Sequence, residues 1–481
     1  MARLAEATLA QLRADVRRPL VPRPAPAIVH LGLGAFHRAH MAEYTEDAET
    51  LSPGGWGIVG VTMRSGAVRD ALAPQDGLYT LVVRDGAGER ARVIGIVREV
   101  LSTADDPAGV IARMAAPSTR IISLTITEKG YALDPASRRL RLDDPRIAAD
   151  LALGAVPCSA IGMLHAAAAR RRAAQAPGFT VLCCDNLPAN GKTLKAAVLA
   201  FADAKGDGLG EWIEANVAFP SSMVDRIVPA ITDADRQRAS QLIGLDDAAP
   251  VFTEPFKQWV VEDRFVSGRP AWERAGVEFV EDVAPYELMK LRLLNGSHSA
   301  IAYLGALAGL TFVNEVTADP VFRSFIEKLM AESAATVPLR TEDYRASLLA
   351  RFDNPALQHR CRQIAMDGTQ KLPQRLIAPI SERLARGLPI TCLAVAVAAW
   401  MRYVGGVMPD GTPYTVDDPL ATTLAQLQEG RAPAERFRAL IGLEAVFGTE
   451  LPRNPAFVEP IRAAYLDLWK DGPREVVACA I

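Results

Sequence analysis

Short apolar runs alternate with amphipathic stretches in the first half of the chain, and longer helical periodicities take over in the second. AIVHL (27–31), WGIVGVTM (56–63), LYTLVV (78–83), ARVIGIV (91–97), RIISLTI (120–126) and FTVLCC (179–184) have the length and β-branched content of strands. Between several of them apolar positions recur at helical spacing, as in AGVIARMAA (108–116) and AIGMLHAAAARRRAAQ (160–175). Strands alternating with helices predict a mostly parallel, doubly wound sheet. NVAFPS (216–221), PVFTE (250–254), QWVVED (258–263) and GVEFVED (276–282) add strand-like pieces. After Pro285 the patterns become long and helical: YELMKLRLLNGSHSAIAYLGALAGL (286–310), DPVFRSFIEKLMAESAATV (319–337) and ITCLAVAVAAWMRYVGGV (390–407). The expected organisation is an α/β domain over residues 1–285 with a Rossmann-type doubly wound sheet. A mostly α-helical domain over 286–481 follows, with a helix crossing the boundary.

Composition narrows the function classes. A chain of 481 residues with 49% apolar and 23% charged residues reads as an ordinary globular protein of two or three domains. A formal net charge of −3 gives no bulk attraction to nucleic acid or to an anionic membrane. The first twenty residues lack the apolar core of a secretory signal, and no stretch of 18 apolar residues exists to span a bilayer. The six cysteines are scattered, with no C-x-x-C pair, which argues against structural zinc and fits a reducing cytoplasm.

The stretch IVHLGLGAFHRAH (28–40) begins as a dinucleotide-binding turn. Gly32 and Gly34 supply the first two glycines of G-x-G-x-x-G after a strand and before a helix, where free N–H groups meet a pyrophosphate. The third glycine is replaced by His37. On these residues alone a cofactor turn and a ligand-free glycine turn are equally consistent. The acid expected on the adenosine ribose at the tip of the second strand is also missing, and Arg64 stands there instead. An arginine can accept a 2′-phosphate, so NADP stands beside NAD, and a solvated arginine is an equal reading. Asn190-Gly191-Lys192-Thr193 ends like a P-loop, but Asn186 occupies the position of its first glycine.

In YELMKLRLLNGSHSAIAYL (286–304), an α-helical wheel spreads Lys290, His298 and Asn295 over an arc of about 140°. Leucines lie between them, so the helix is expected to be buried. Three polar groups in such a wall need partners, either in a core hydrogen-bond network or in a site, and their grouping at a boundary favours a site. A desolvated lysine has the lowered proton affinity of a general base, and Asn and His can donate to a developing alkoxide. Tyr286 and Lys290 also spell Y-x-x-x-K, far from where short-chain dehydrogenases carry that pair, and Tyr286 is read as packing.

HLGLGAFHRAH (30–40), SLTITEKGY (123–131), CCDNLPANG (183–191), FPSSMVDRIVP (219–229), EPFKQWVVEDRFVSGRPAWE (254–273), KLRLLNGSHSAIAYLG (290–305) and MDGTQKLPQRL (366–376) follow in order. Together they resemble the long-chain polyol dehydrogenases, which comprise mannitol 2-dehydrogenases, fructuronate reductases and arabinitol dehydrogenases. The resemblance covers nearly the whole chain. It implies a zinc-independent, NAD(P)-dependent oxidoreductase acting on a small sugar acid or polyol, with an active site that draws on both domains. It makes Lys290 the acid/base, Asn186 and Asn295 the groups that hold the reacting oxygen, and His298 a substrate-orienting group. Asp225 and Lys371 match pocket positions. Gly32, Gly34, Phe36, His37, Arg38 and Glu128 fall in the cofactor motifs, with His37 a family variant of the third glycine. Gln363 stands where some mannitol dehydrogenases have arginine, and TEKGY adds Lys129 where they read TEGGY. MDGTQKLPQRL and WMRY look closer to fructuronate reductases. By charge alone, Lys129, Lys371 and Arg375 are candidates for a sugar-acid carboxylate. Fructuronate with mannonate is the preferred pair, mannitol with fructose the alternative, and a nucleotide-sensing protein without turnover the reading from another class.

Overall fold

AIVHL forms β1 (Pro26–Leu31), the middle strand of a five-stranded sheet. The computed structural model describes residues 1–134 and 137–481. β2 (Gly57–Thr62) pairs with β1 in parallel. The chain then leaves this sheet for an antiparallel hairpin, β3 (Tyr79–Asp85) and β4 (Gly88–Ile94). It returns through β5 (Val97–Ser102), β6 (Ile121–Leu124) and β7 (Thr180–Cys183), giving the all-parallel order β5-β2-β1-β6-β7. β2, β6 and β7 are buried along their whole length, as strands covered on both faces must be. The winding direction reverses between β1 and β6, so their carboxyl ends flank the switch point at which open α/β sheets place ligands.

Two readings of the pattern are corrected. ARVIGIV is two strands: the carboxylate of Glu46 accepts N–H bonds from Gly95 (2.6 Å) and Ile96 (3.0 Å), bending the chain between β4 and β5. The hairpin turn before β4 is set by Asp85, whose Oδ1 accepts from Ala87 (2.8 Å) and Gly88 (3.1 Å), a D-G signal that the apolar pattern hides. NVAFPS is not a strand; a bridge between Thr180 and Ala218 ties it to the sheet. The strand lies further on, as β8 (Ser222–Asp225). β9 (Val251–Thr253) joins the hairpin in a second sheet. β10 (Gln258–Glu262) and β11 (Glu278–Val280) join β8 in a third.

The chain divides into two units, Met1–Ala284 and Pro285–Ile481. In the second, the helix Gly296–Leu307 is buried at every residue and packs on the helix Thr391–Tyr403, which also packs on Pro455–Lys470. The single helix expected over 286–310 is three pieces: α-helical Ala284–Met289, a π-helical turn over Lys290–Asn295, and α-helical Gly296–Leu307. A second π turn, Pro373–Ile377, follows the short helix Gly368–Leu372. Pro373 lacks an N–H and its ring disturbs the preceding turn, so regular α-helical bonding through it is disfavoured. The two π turns pack together so closely that a Cβ on Gly296 would stand 3.1 Å from the Arg375 carbonyl oxygen. Among the described residues no helix is long and apolar enough to cross a membrane.

The first unit is tied by a buried ionic cluster on helix α2 (Met41–Leu51), which follows the one-turn helix α1 (Ala35–Ala39). Arg226, just past β8, donates to the Glu43 carboxylate and to the Ala39 carbonyl. Lys257 lies 3.5 Å from Glu43 and 3.3 Å from Asp47, and Arg92 of β4 is 2.9 Å from Asp47. Removing the Glu43 carboxylate leaves the buried Arg226 guanidinium without the carboxylate it pairs with, while Asp47 still faces Arg92 and Lys257. Glu43→Gln is therefore expected to lower unfolding stability by about 3 kcal/mol, read as a shift of the urea midpoint. A midpoint unchanged from wild type would show that the cluster is not holding the unit together.

Candidate active site

The turn after β1 is where the sequence permits least. Gly32 has φ +93°, and a Cβ there would lie 2.1 Å from the carbonyl oxygen of Thr125 at the exit of β6. Its N–H donates to Val61 O of β2 (2.8 Å), and its carbonyl accepts from the Thr125 hydroxyl (2.9 Å). Only glycine satisfies both the dihedral and the contact. Gly34, which caps α1, differs: its backbone is extended, and an added Cβ would meet nothing nearer than Gly32 O at 3.7 Å. The protein does not fill that side, which leaves room for a ligand to approach the backbone.

The bulky residues of the motif pack inward. His37 is fully buried and stacks on His30 of β1 with ring centroids 3.4 Å apart, and among the described residues neither of its ring nitrogens has a hydrogen-bond partner. Arg38 is buried, with its guanidinium on the Ala249 and Gly34 carbonyls, and the Tyr79 hydroxyl donates to the Arg38 carbonyl at 2.7 Å. Phe36 stacks on His40 at 5.0 Å. The side chains of His37 and Arg38 thus shape the turn from beneath and do not extend to its surface. Arg64 is exposed just beyond β2, and Glu128 and Lys129 are exposed on the loop after β6.

Asp185, which sequence reasoning passed over in favour of its neighbour, organises this edge. One carboxylate oxygen accepts from the Ile126 N–H (2.8 Å) and the Tyr131 hydroxyl (2.6 Å), and the other from the Thr127 N–H (3.1 Å). Burial raises its pKa, with those three donors opposing the rise. The available signal was the DN pair itself, an acid fixed beside an amide. Asn186 follows, exposed. Asn190 donates to the Asp185 carbonyl (3.1 Å) and to Ser222 O (2.8 Å), and accepts from Ser222 N (2.9 Å), which anchors the start of β8. Asp225, the last residue of that strand, is buried.

In the second unit the π turn changes the reading of the wheel. Five residues apart in an α-helix are about 140° apart, whereas i→i+5 bonding sets residues i and i+5 one turn apart on nearly the same face. Lys290 and Asn295, the first and last residues of the turn, are so related. Lys290 is half-buried, and Arg375 donates to the Asn295 carbonyl (3.4 Å) and to the Ser299 hydroxyl (3.2 Å). His298 is buried, its Nε2 without a hydrogen-bond partner among the described residues, against Phe352 (4.8 Å) and edge-on to His359 (5.5 Å). Burial holds it well below the ordinary imidazole pKa, and the nearby His359, Arg351 and Arg375 push the same way, so it is neutral at pH 7. Lys371 donates to Met366 O (2.5 Å) and Ile364 O (3.4 Å) within its own segment. Among the described residues no group of three His, Cys, Asp or Glu side chains is gathered as metal ligands would be.

Two family models match the chain: a mannitol dehydrogenase Rossmann domain over residues 26–274 and a mannitol dehydrogenase C-terminal domain over 282–469. An uncharacterized oxidoreductase of Escherichia coli (strain K12), YdfI, is 46% identical, with 94% of this chain and 95% of the relative covered. The D-mannonate oxidoreductase of the same organism is 44% identical over 94% of this chain and 95% of its own length. Among solved structures, a Pseudomonas fluorescens mannitol 2-dehydrogenase ternary complex with NAD and D-mannitol is similar at a TM-score of 0.85 and 39% identity. That match covers 99% of this chain and 98% of the other.

The histidines beneath the turn make an acid-sensitive foundation. Burial lowers His30 and His40 to about 3, and His37 also falls well below its usual value. The unfolded chain takes up their protons near pH 6.5 and the folded chain does not, so their stabilisation is complete above about 6.5 and is lost as pH falls toward 3. His30 and His40 each cost about 2 kcal/mol between pH 7 and pH 5, and His37 acts in the same direction. Urea midpoints should fall across that interval, and His37→Phe, which keeps the stack without the titration, should flatten the fall. An identical pH slope in the variant would remove His37 from the account.

Proposed function

The chain belongs to the mannitol dehydrogenase family, and on that footing we propose that it is a nicotinamide-dependent oxidoreductase interconverting D-fructuronate and D-mannonate. The observation that carries the chemistry is the π turn that aligns Asn295 with Lys290 ahead of the buried, unpartnered Nε2 of His298. The dinucleotide fits the residues present: Gly32 makes the turn, and the open side of Gly34 receives the phosphates. When bound, the nicotinamide gives or takes the hydride. NAD is the proposed cofactor, in keeping with the solved relative that holds it, and Arg64 at the tip of β2 makes NADP the alternative to assay.

Each remaining step falls to a side chain. Lys290 gives a proton to the carbonyl oxygen during reduction and takes it back during oxidation. Asn295, with Asn186 in the same role, donates amide hydrogens to that oxygen as charge develops on it. His298, neutral at pH 7, orients a substrate hydroxyl through Nε2. Asp225 accepts from another substrate hydroxyl, and Glu128 belongs to the cofactor side.

The acid substrate is supported by the 44% identical D-mannonate oxidoreductase and by the cations Lys129, Lys371 and Arg375. A second reading, mannitol with fructose, is favoured by the bonds that Lys371 and Arg375 make to protein oxygens and by the mannitol-bound relative. A nicotinamide-absorbance assay over fructuronate, tagaturonate, fructose, mannitol and arabinitol, with NAD and NADP in parallel, separates the two. Fructuronate is expected to give the highest kcat/KM; fructose exceeding it would transfer the assignment to the mannitol reaction. Lys290→Ala should lower kcat by about 10²–10⁴-fold. Turnover near the wild-type rate would refute the mechanism, and no wild-type turnover with any pair would favour a nucleotide-sensing role.

A further inference from the structure

The loop leaving β6 is held in a conformation its sequence resists. Thr127 has φ +65° and ψ 155°, a region that belongs almost wholly to glycine and is especially adverse for a β-branched residue. Ala132, at the far end of the same loop, is also left-handed, with φ +53°. Such strain persists only where surrounding contacts overdetermine it. Here one side chain supplies three of those contacts: the Asp185 carboxylate takes the N–H of Thr127, the N–H of Ile126 before it and the hydroxyl of Tyr131 near the end of the loop. Beside them are the bonds from the Gly130 N–H to the Thr127 carbonyl and from Arg146 to the Lys129 carbonyl.

Asp185 is itself immobilised, its carbonyl held by Asn190, which also pairs with Ser222 through both ends of its amide. One residue thereby joins the exits of β6 and β7 to the entry of β8. On its other side the loop presses on the Gly32 turn, where the Thr125 carbonyl leaves no space for a Cβ. The segments fixed in this way carry Glu128 and Lys129, Asn186, and Asp225.

We propose that Asp185 is a positioning residue for the reaction, its carboxylate locking Thr127 in a glycine-like conformation so that the β6 exit loop and Asn186 stand in working geometry. With its oxygens taken by three donors, it acts through the loop and not on the substrate. The proposal rests on the functional reading above for the roles of Asn186 and Glu128, but the hold on the loop does not.

The test compares wild type, Asp185→Asn and the double variant Asp185→Asn/Thr127→Gly, all as full-length protein, by steady-state kinetics and by amide hydrogen exchange over residues 124–131. An amide side chain offers one acceptor oxygen where the carboxylate offers two. Asp185→Asn should lower kcat at least tenfold with KM within about threefold, and should speed exchange over 124–131 at least tenfold. Glycine adopts the Thr127 conformation without strain, so the double variant should recover at least half of each loss on a logarithmic scale, a rescue that a merely structural role would not produce. Asp185→Asn within twofold of wild type in kcat, or a folded double variant no better than the single one, overturns the proposal. Should wild type turn over no substrate, the functional reading fails on its own, and unchanged exchange in Asp185→Asn then overturns the hold on the loop independently.

Discussion

The absence of room for a single carbon at Gly32 governs the first unit. β1 must turn at its carboxyl end with a positive φ while passing 2.1 Å, in Cβ terms, from the Thr125 carbonyl. Its N–H and that of Leu33 are spent on Val61, so β2 and the exit of β6 grip the turn from opposite sides. Once the turn is fixed, α1 has one possible start, and His37 is driven under it onto His30. The third glycine of a dinucleotide fingerprint ordinarily allows a helix to pack closely on its strand. Here a pair of stacked imidazoles fills that space, and the price is acid sensitivity.

Much of this was legible in the residues, for reasons that differ from place to place. β1, β2, β6 and β7 are buried on both faces, so their apolar runs announce themselves. The glycines of the turn are visible because no other residue type can do that work. The hairpin β3–β4 was harder, since its strands look like sheet strands and the deciding Asp85–Gly88 turn is polar. β8 was missed because SMVD is short and anchored by a side chain, Asn190, more than thirty positions earlier. Asp185 was overlooked because its role depends on backbone N–H groups some 59 and 58 residues distant, which no local pattern encodes.

The second unit poses a different difficulty. Lys290, Asn295 and His298 stand out as polar groups among leucines, but a wheel drawn at α-helical pitch separates Lys290 from Asn295. Nothing in KLRLLN forbids an α-helix; the wider turn becomes intelligible beside its counterpart at Pro373–Ile377, where proline removes one N–H from the regular ladder and the close approach at Gly296 fits the two together. Candidate residues were therefore easier to name than their mutual arrangement. The cations carried a similar ambiguity, since Lys371 and Arg375 have charges suited to a carboxylate yet bond to protein oxygens.

A π turn is, in chain-length terms, an α-helix carrying one residue too many. Replacing Lys290–Asn295 with a segment of equal length that winds regularly would preserve every contact up to Met289 and deliver the remainder of the helix rotated by roughly 100°. His298 would then look toward a different neighbour, and the helix buried along Gly296–Leu307 would present the wrong side to its packing partners. The extra residue thus acts as a register key: transplanting this helix into another scaffold, or shortening it, requires counting residues by the turn they occupy and not by their position in the line.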